Sequence, residues 1–259
     1  SSAFMVAIYL TLAARNELSA RDVYCQAIES DLELAAYLGT IENGQSFGSL
    51  AGDRGVGTFG GSEDHTAILC SESGNLGQFA YCPARLERRL EVPEECVFVI
   101  GFSGVVAEKT GAAQDLYNRA ALQVRTIVDV WQRVTESDQV YLADVLRSAP
   151  DAAKALRAAL REATDEAYAP AQLEQRLRHF LLEDGQIIDA AAAALCAGDL
   201  AAFGKQVDLS QEYSASVLGN QVDETVELAR LARQEGALAA SAFGAGFGGS
   251  VWALVEEAR

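Results

Sequence analysis

The sequence predicts an α+β fold in two domains. Apolar residues recur at helical spacing over the first part of the chain, the pattern changes to that of β-strands near Asn75, and amphipathic helices return from Ala112 before a strand-like end. Separate runs of helices and strands are typical of the α+β class. We therefore expect one domain over residues 1–75 and a second over residues 76–259.

The first domain is predicted to hold three helices and one long loop. The chain opens with a helix that a leading serine can cap and that runs to about Arg15. A second helix begins at the cap residue Ser19 and ends at Gly39, because glycine commonly ends helices. Residues 39–61 are rich in glycine and predict a loop, and loops of this length inside compact domains are often functional. A short helix follows at residues 62–69, "SEDHTAIL".

Strands precede helices in the second domain. Strand-like segments occur at Gln78–Tyr81, Arg85–Leu90 and Val97–Phe102, and the last of these is apolar enough to be a central strand. From Ala112 an apolar stripe predicts a long helix. The remaining predicted elements are helices at 141–147, 152–163, 172–182, 187–197 and 221–233, and a final strand at 250–255, "SVWALV".

Composition and charge exclude several classes of partner. The 259 residues carry 37 acidic and 20 basic side chains, a formal net charge of -17 that repels nucleic acid and anionic membranes. Five scattered cysteines without a CxxC pair indicate reduced thiols and a cytoplasmic location. The apolar stretches are too short or too interrupted to cross a bilayer, and no signal peptide is visible. We expect small-molecule ligands, and neither nucleic acid nor membrane as a partner.

Three glycine-containing segments do not fit the common nucleotide-binding loops. The pattern G-x-G-x-x-G occurs at residues 55–60 and at residues 244–249. A dinucleotide fingerprint needs a strand before these glycines and a helix after them, and neither segment has both. The Gly204-Lys205 pair lacks the rest of a Walker A loop. Rossmann and P-loop sites are therefore excluded, although the open loop at 244–249 suits the close approach of a ligand.

Four segments, in order along the chain, resemble the GHMP small-molecule kinases and most of all the galactokinases. The opening serines are similar to the end of a Gly-Leu-Ser-Ser-Ser loop that leads into a helix, and "GGSEDH" resembles a Gly-Gly-x-Met-Asp-Gln motif. The segment "VFVIGFSGVVAEKTGAAQDLYNRA" resembles a strand, turn and helix bearing Tyr-Asn-x-Arg, and "FGAGFGGS" resembles the third family motif. The resemblance implies a two-domain GHMP kinase fold, with part of an N-terminal domain of ribosomal protein S5-like character and a ferredoxin-like C-terminal domain with helical insertions.

The resemblance also implies binding of ATP and Mg²⁺. Ser1 and Ser2 would contact the triphosphate, Ser2 and Glu42 would bind the metal, and backbone N–H groups at the start of a helix suit phosphate. For Glu42, a solvated position in the loop is the competing interpretation. The loop beside the phosphates would be shaped by Gly244, Gly246, Gly248 and Gly249.

Asp64 is the expected catalytic residue. Phosphoryl transfer to a sugar hydroxyl needs a carboxylate within hydrogen-bonding reach, which accepts or orients the hydroxyl proton. By the resemblance, Asp64 acts as base toward the anomeric hydroxyl, whereas a plain helix-capping role is the competing interpretation. Gly61 and Tyr117 match substrate-binding positions, and a half-buried structural tyrosine is the alternative for Tyr117.

Two residues depart from the galactokinase pattern. Glu63 and His65 stand where galactokinases usually carry Met and Gln. The sequence has one other histidine, His179, which we expect on the polar face of its helix, so a histidine metal cluster is not predicted. We expect a hydrogen-bonding or packing role for His65. The change leaves open which sugar is the substrate.

The expected function is ATP-dependent phosphorylation of the C1 hydroxyl of galactose or a related sugar. Alternatives are a GHMP kinase for N-acetylgalactosamine, arabinose, fucose or mevalonate, a non-catalytic sensor that binds sugar and ATP, and, less closely, a helical interaction domain. The Gly-Arg-x-Asn-x-Ile-Gly-Glu-His motif that opens galactokinases does not occur in this sequence. We therefore expect the chain to be a fragment of a larger kinase, without sugar kinase activity in isolation. We also expect a monomer.

Overall fold

A computed structural model describes residues 2–107, 114–165, 167–244 and 246–257. The chain divides into two compact units, Ser1–Val92 with Thr110–Gln114, and Pro93–Lys109 with Asp115–Arg259. The units thus divide the chain after Val92, beyond the predicted boundary near Asn75. The predicted boundary separates two domains, and the division into compact units does not test it, so it stays a prediction.

Four α-helices and a hairpin make up the described part of the first unit. The α1 helix packs its buried Val6 against Ile28, Leu34 and Leu38, which form the core of this unit. Tyr37 closes this core, since its ring contacts the rings of both Tyr9 and Phe47. The elements are α1 (Ser2–Arg15), a short 3-10 turn (Leu18–Ala20), α2 (Asp22–Ala27), α3 (Asp31–Asn43), α4 (Glu63–Cys70), β1 (Asn75–Ala80) and β2 (Arg85–Glu91).

The single helix predicted from Ser19 to Gly39 is wrong in both its continuity and its end. Ser30 starts a new helix, because its Oγ accepts a hydrogen bond from the Glu33 N–H at 3.2 Å and Glu33 reaches back to the Glu29 N–H at 2.7 Å. Gly39 lies inside α3 and not at its end. A Cβ there would come within 3.1 Å of Ser62, so glycine allows the start of α4 to approach α3.

The second unit contains a three-stranded antiparallel sheet. Its strands are β3 (Cys96–Phe102), β4 (Ala239–Ala242) and β5 (Ser250–Glu256), in the order β3-β5-β4. The prediction that Val97–Phe102 is central is wrong, because among the described strands β5 is central and β3 is at the edge. Ile100 and Phe102 are 63% and 64% exposed. An apolar run shows that a strand is suited to burial, but it does not specify which neighbours cover it.

Seven helices complete the described part of the second unit. A core of leucine and β-branched side chains joins α5 to α8 and includes Ile127, Leu156 and Leu177. The five predicted helices between residues 114 and 197 are confirmed within a few residues at their ends. The α10 helix and β4 were not predicted. The helices are α5 (Gln114–Thr135), α6 (Leu142–Arg147), α7 (Ala152–Glu162), α8 (Pro170–Leu182), α9 (Ile188–Cys196), α10 (Leu200–Tyr213) and α11 (Asp223–Gln234), with π-helical turns at Glu183–Ile187 and Ser214–Leu218.

Two physical expectations can be compared with this fold. All five cysteines are present as thiols, as predicted from their scattered positions. Among the helices described, none has the length and apolarity needed to span a bilayer.

Candidate active site

Two residues that are far apart in the sequence meet in the first unit. Ser2 is the first residue of α1 and is buried, whereas Asp64 is the second residue of α4 and is exposed. The Ser2 Oγ donates a hydrogen bond to Asp64 Oδ2 at 3.0 Å. The structure therefore joins the start of the serine helix to the expected base. Ser1 lies outside the described residues.

The position of Asp64 follows from how α4 begins. The Ser62 carbonyl accepts a hydrogen bond from the Thr66 N–H at 2.7 Å, which closes the first turn. Glu63 and Asp64 lie in that turn, where negative charge interacts favourably with the helix dipole. The carboxylate of Asp64 is consequently held at the helix N-terminus and remains accessible to a substrate.

Gly61, the predicted sugar contact, has a packing role in this structure. A Cβ at this position would lie 2.7 Å from the Tyr81 hydroxyl and would overlap the tyrosine ring. A larger residue would therefore displace either the loop or Tyr81. The geometry explains why glycine is needed here, and the contact with sugar stays a prediction.

Glu42 faces a buried histidine. It is the penultimate residue of α3, its side chain is 14% exposed, and its Oε2 lies 3.6 Å from Nε2 of His65. The alternative that Glu42 is a solvated loop residue is wrong, because the helix extends past Gly39 and buries most of this side chain. His65 is 0% exposed, which agrees with the expected packing or hydrogen-bonding role.

The end of α3 is fastened to the glycine-rich loop. The Glu42 carbonyl accepts a hydrogen bond from the Val56 N–H at 2.8 Å, and Asn43 Nδ2 donates to the Gly60 carbonyl at 3.2 Å. These two contacts attach residues 56 and 60 of the loop to the end of α3. The backbone at Glu42 and the entry to α4 are therefore fixed relative to each other.

The oxygen groups of the first unit suit magnesium better than a softer metal. Ser2 and Glu42 offer a hydroxyl and a carboxylate, and Mg²⁺ commonly takes one or two protein oxygens and completes its shell with phosphates and water. Among the described residues, no three His, Cys, Asp or Glu side chains cluster as a metal site. The donor set therefore fits a metal that arrives with a nucleotide.

In the second unit, the glycine motif forms the connection between β4 and β5. Gly246 and Gly248 have φ values of +76° and +110°, in the region that favours glycine. A Cβ on Gly246 would lie 2.9 Å from the Asn220 carbonyl oxygen, and one on Gly248 would lie 3.0 Å from the Val105 carbonyl oxygen. Both glycines are therefore required by backbone conformation and by close packing. Gly244 and Gly249 belong to the same loop and have more space around them.

A buried polar network that we did not predict from the sequence holds this loop. The fully buried Thr225 places its Oγ1 3.0 Å from Gln221 Oε1 and 3.3 Å from the Gly246 carbonyl oxygen. Gln211 donates to Gln221 Oε1 at 3.3 Å and accepts from the Ala242 N–H at 3.0 Å. The network thus ties α10, α11 and β4 to the loop. A polar residue that interrupts the apolar face of a helix is the sequence signal that could have found it.

Tyr117 contacts the glycine loop through an aromatic pair. The ring centroids of Tyr117 on α5 and Phe247 in the loop are 5.2 Å apart, with their planes inclined at 45°. Tyr117 is half-buried, so the structural alternative for it is compatible with the geometry, while its contact with sugar stays a prediction. The contact brings the expected sugar-binding residue to the expected phosphate loop.

The largest electrostatic perturbation in the second unit lies on α8. Burial lowers the pKa of His179 to about 4, and the neighbouring Arg176 adds to this shift. Burial also lowers the pKa of Arg176 to about 10. The expectation that His179 lies on a polar face is wrong, because the α8 helix turns this side chain into the protein, where it lies 3.3 Å from Arg176.

Comparison with known proteins finds similarity to GHMP kinases in sequence and to galactokinases in sequence and structure. The family model of the GHMP kinase C-terminal domain, "GHMP kinases C terminal", matches residues 191–259. A galactokinase from Streptococcus thermophilus is 40% identical over 86 residues, which is 32% of this chain and 21% of that protein. The crystal structure of Lactococcus lactis galactokinase complexed with galactose superposes with a TM-score of 0.65 at 25% identity, over 87% of this chain and 52% of the other.

These matches agree with the segments quoted from the sequence. The family model covers the glycine loop together with α10, α11, β4 and β5, and the structural match extends over most of the chain. The chain spans about half the length of the solved galactokinase and about a fifth of the matched bacterial relative. Residues 191–259 therefore match the GHMP kinase C-terminal domain, and the chain is similar to galactokinases in sequence over 86 residues and in fold over 87% of its length.

Proposed function

We propose that the protein containing this chain is an ATP-dependent sugar kinase that transfers the γ-phosphoryl group to the anomeric hydroxyl of galactose or a related sugar. The hydrogen bond between Ser2 Oγ and Asp64 Oδ2, at 3.0 Å, is the observation that carries this proposal. It joins a hydroxyl at a helix N-terminus, which suits phosphate, to a carboxylate that suits a proton acceptor. Similarity to galactokinases supports the choice of a sugar as substrate.

In the proposed reaction, Asp64 accepts the proton of the C1 hydroxyl. The hydroxyl oxygen forms a bond to the γ-phosphorus, and the bond between that phosphorus and the β,γ-bridging oxygen breaks, so that ADP leaves. Ser2 would hold the Asp64 carboxylate in the orientation seen here while the substrates bind and react. The Asp64 carboxylate lies in the exposed first turn of α4, which leaves it open to an incoming hydroxyl group.

Nucleotide and metal would be held by oxygen groups and by backbone N–H groups. Ser2 and Glu42 would hold Mg²⁺, which would supply positive charge to offset the negative charge that develops during phosphoryl transfer. Ser1 belongs to the same proposed phosphate contact. In the second unit, we assign the phosphate side to the loop of Gly244, Gly246, Gly248 and Gly249, and a sugar contact to Tyr117.

A coupled kinase assay on the full-length protein tests the proposal. Removing the base by Asp64→Asn should lower kcat by roughly 10²–10⁴-fold, the usual contribution of a general base. Glu63→Gln is the matched control, because it removes an acidic group from the same helical turn. We expect it to keep kcat within about threefold.

The identity of the product decides between the catalytic candidates. Phosphate on C1 of galactose, detected by NMR, would establish galactokinase activity, whereas a preference for N-acetylgalactosamine, arabinose or fucose would place the protein with another sugar. Tight binding of sugar and ATP without turnover in the unaltered protein would contradict the enzyme proposal and favour a sensor.

The proposal includes a cytoplasmic monomer. The thiol state of the cysteines supports a cytoplasmic location. The net charge of -17 supports a monomer, because like charges disfavour self-association. Light scattering of the full-length protein measures the mass directly. A dimer at micromolar concentration would contradict this part of the proposal.

A further inference from the structure

We infer that His65 is a positioning residue that orients the Glu42 carboxylate toward a nucleotide-bound divalent cation. The inference rests on the proposed function, in which Glu42 holds that cation. It assigns a role to one of the two residues that depart from the galactokinase pattern. The chemical class involved is a divalent metal complex of an adenine nucleotide.

The geometry of the pair is specific. His65 Nε2 lies 3.6 Å from Glu42 Oε2, the imidazole is 0% exposed and the glutamate side chain is 14% exposed. A carboxylate that is largely removed from water needs a polar neighbour, and an imidazole N–H can supply one. Because the histidine is fully buried, the Glu42 carboxylate faces a side chain enclosed by protein rather than solvent.

The backbone on both sides of the contact is also fixed. The Glu42 carbonyl is hydrogen-bonded to the Val56 N–H, and the first turn of α4 is closed through Thr66 and Ser62. Orientation of the glutamate therefore depends on its own side-chain torsions, which are the freedom that His65 restricts. A metal ligand gains affinity when a neighbouring group fixes its direction in advance.

Asp64 and His65 are adjacent in the first turn of α4 but contact different residues. Neighbouring residues on an α-helix point in directions about 100° apart and do not face each other. Asp64 accordingly meets Ser2 and remains exposed, whereas His65 points inward to Glu42. The burial of His65 also means that it cannot itself contact a sugar in this conformation, so its role differs from selection of the substrate.

Binding of Mn²⁺ in place of Mg²⁺ tests the inference without an activity readout. Electron paramagnetic resonance measures free Mn²⁺ in the presence of saturating ADP and the full-length protein. We expect His65→Ala to weaken Mn²⁺ binding about tenfold or more, which is the usual effect of losing a group that supports a metal ligand. The affinity for ADP without metal should stay within about twofold, because His65 is not expected to contact the nucleotide.

Two further variants separate positioning from packing. His65→Gln keeps an N–H group with a similar reach and should restore Mn²⁺ affinity to within about threefold of the unaltered protein. Thr66→Ala removes a buried side chain from the next position and should lower thermal stability without changing Mn²⁺ affinity. If His65→Ala does not fold, His65→Asn, whose amide is shorter, replaces it and should show the same loss of Mn²⁺ affinity.

The outcomes distinguish this inference from the proposed function. Unchanged Mn²⁺ affinity in folded His65→Ala or His65→Asn would overturn the inference alone. Equal losses of Mn²⁺ affinity in His65→Gln and His65→Ala would also overturn it, because a donor at this position would then be irrelevant. Failure of the unaltered protein to bind Mn²⁺ with ADP would overturn the metal assignment in the proposed function and the inference with it.

Discussion

The hydroxyl group of Ser2 donates a 3.0 Å hydrogen bond to the carboxylate of Asp64 across 62 positions of sequence. The contact joins the first turn of α1 to the first turn of α4. Two helix N-termini therefore bring partial positive charge to the same neighbourhood, where a hydroxyl and a carboxylate are already paired. This pairing is the feature of the first unit on which the proposed kinase function rests.

Under the proposed function, replacing Ser2 by alanine should lower kcat of the full-length protein roughly tenfold or more. A hydrogen bond to a charged group is worth about 1.5–3 kcal/mol, and about 1.4 kcal/mol corresponds to a factor of ten in rate. Steady-state kinetics with sugar and ATP measure the effect. Ser2→Thr keeps the hydroxyl and should retain most of the activity, whereas equal kcat values for the alanine variant and the unaltered protein would contradict the role of this hydrogen bond.

Gly246→Ala should destabilise the glycine loop. The new Cβ would meet the Asn220 carbonyl oxygen at 2.9 Å and the residue would keep a φ of +76°, so strain and crowding together should lower the free energy of unfolding by about 3 kcal/mol. Urea unfolding measures this loss. Gly244→Ala is the matched control, since it lies in the same loop with open space around it. Equal losses in the two variants would show that packing against Asn220 is unimportant.

The helices of the second unit were largely predictable because their apolar stripes are long. The α5 helix and the helices after it showed the 3.6-residue period that core packing imposes. The α10 helix was missed although it packs closely in the fold. In the sequence, Gly204 suggests the end of a helix. In the structure, it lies inside α10 and allows the backbone of Leu238 to approach. A contact between residues this far apart in sequence cannot be predicted from the local pattern.

The break between α2 and α3 could have been found. Ser30 and Glu33 form the S-x-x-E capping pattern; the Ser30 Oγ accepts from the Glu33 N–H, and the Glu33 carboxylate accepts from the N–H of Glu29, one residue before the cap. The stop assigned to Gly39 concealed it, since a glycine chosen for close packing has the same letter as one chosen for a helix end. Local sequence therefore indicated where α3 begins but not where it ends.

In the candidate site, too, some residues could be predicted from local sequence and others only from the folded structure. Asp64 and the glycine loop were identified from motif resemblance and short-range pattern. The buried network of Gln211, Gln221 and Thr225 comes from three helical or connecting positions that meet only after folding. The pairing of Glu42 with His65 likewise depends on the approach of α3 to α4. Motifs thus predicted the candidate reactive groups, whose roles stay predictions, and the groups that pack around them became apparent only in the folded structure.

Acidification should destabilise the second unit through His179. Burial lowers the pKa of this histidine from 6.5 to about 4 in the folded protein, so the unfolded chain binds a proton more readily. The associated stability is fully present above pH 6.5 and is lost as the pH falls from 6.5 toward 4. We expect a loss of about 2 kcal/mol between pH 7.5 and pH 5 from this group.

His179→Gln isolates this contribution, because glutamine does not titrate. The difference in unfolding free energy between this variant and the unaltered protein, measured by urea unfolding at several pH values, should narrow by about 2 kcal/mol from pH 7.5 to pH 5. Other titrating groups, including Glu183 with its raised pKa, are present in both proteins and largely cancel in the difference. A difference that is constant with pH would contradict the assignment.

Phe247→Leu should weaken sugar binding through Tyr117. The two rings lie 5.2 Å apart, and an aromatic pair of this kind contributes about 0.5–1.5 kcal/mol beyond the burial of its area. If Tyr117 contacts the sugar, loss of its aromatic neighbour should raise the KM for sugar roughly two- to tenfold and leave the KM for ATP less affected. Phe243→Leu, at the exposed start of the same loop, is the control and should leave both KM values nearly unchanged.

In Tyr117→Leu the effect of changing Phe247 should disappear, because the contact that transmits it is already lost. Additive effects in the double variant would instead mean that Phe247 acts on the loop independently of Tyr117.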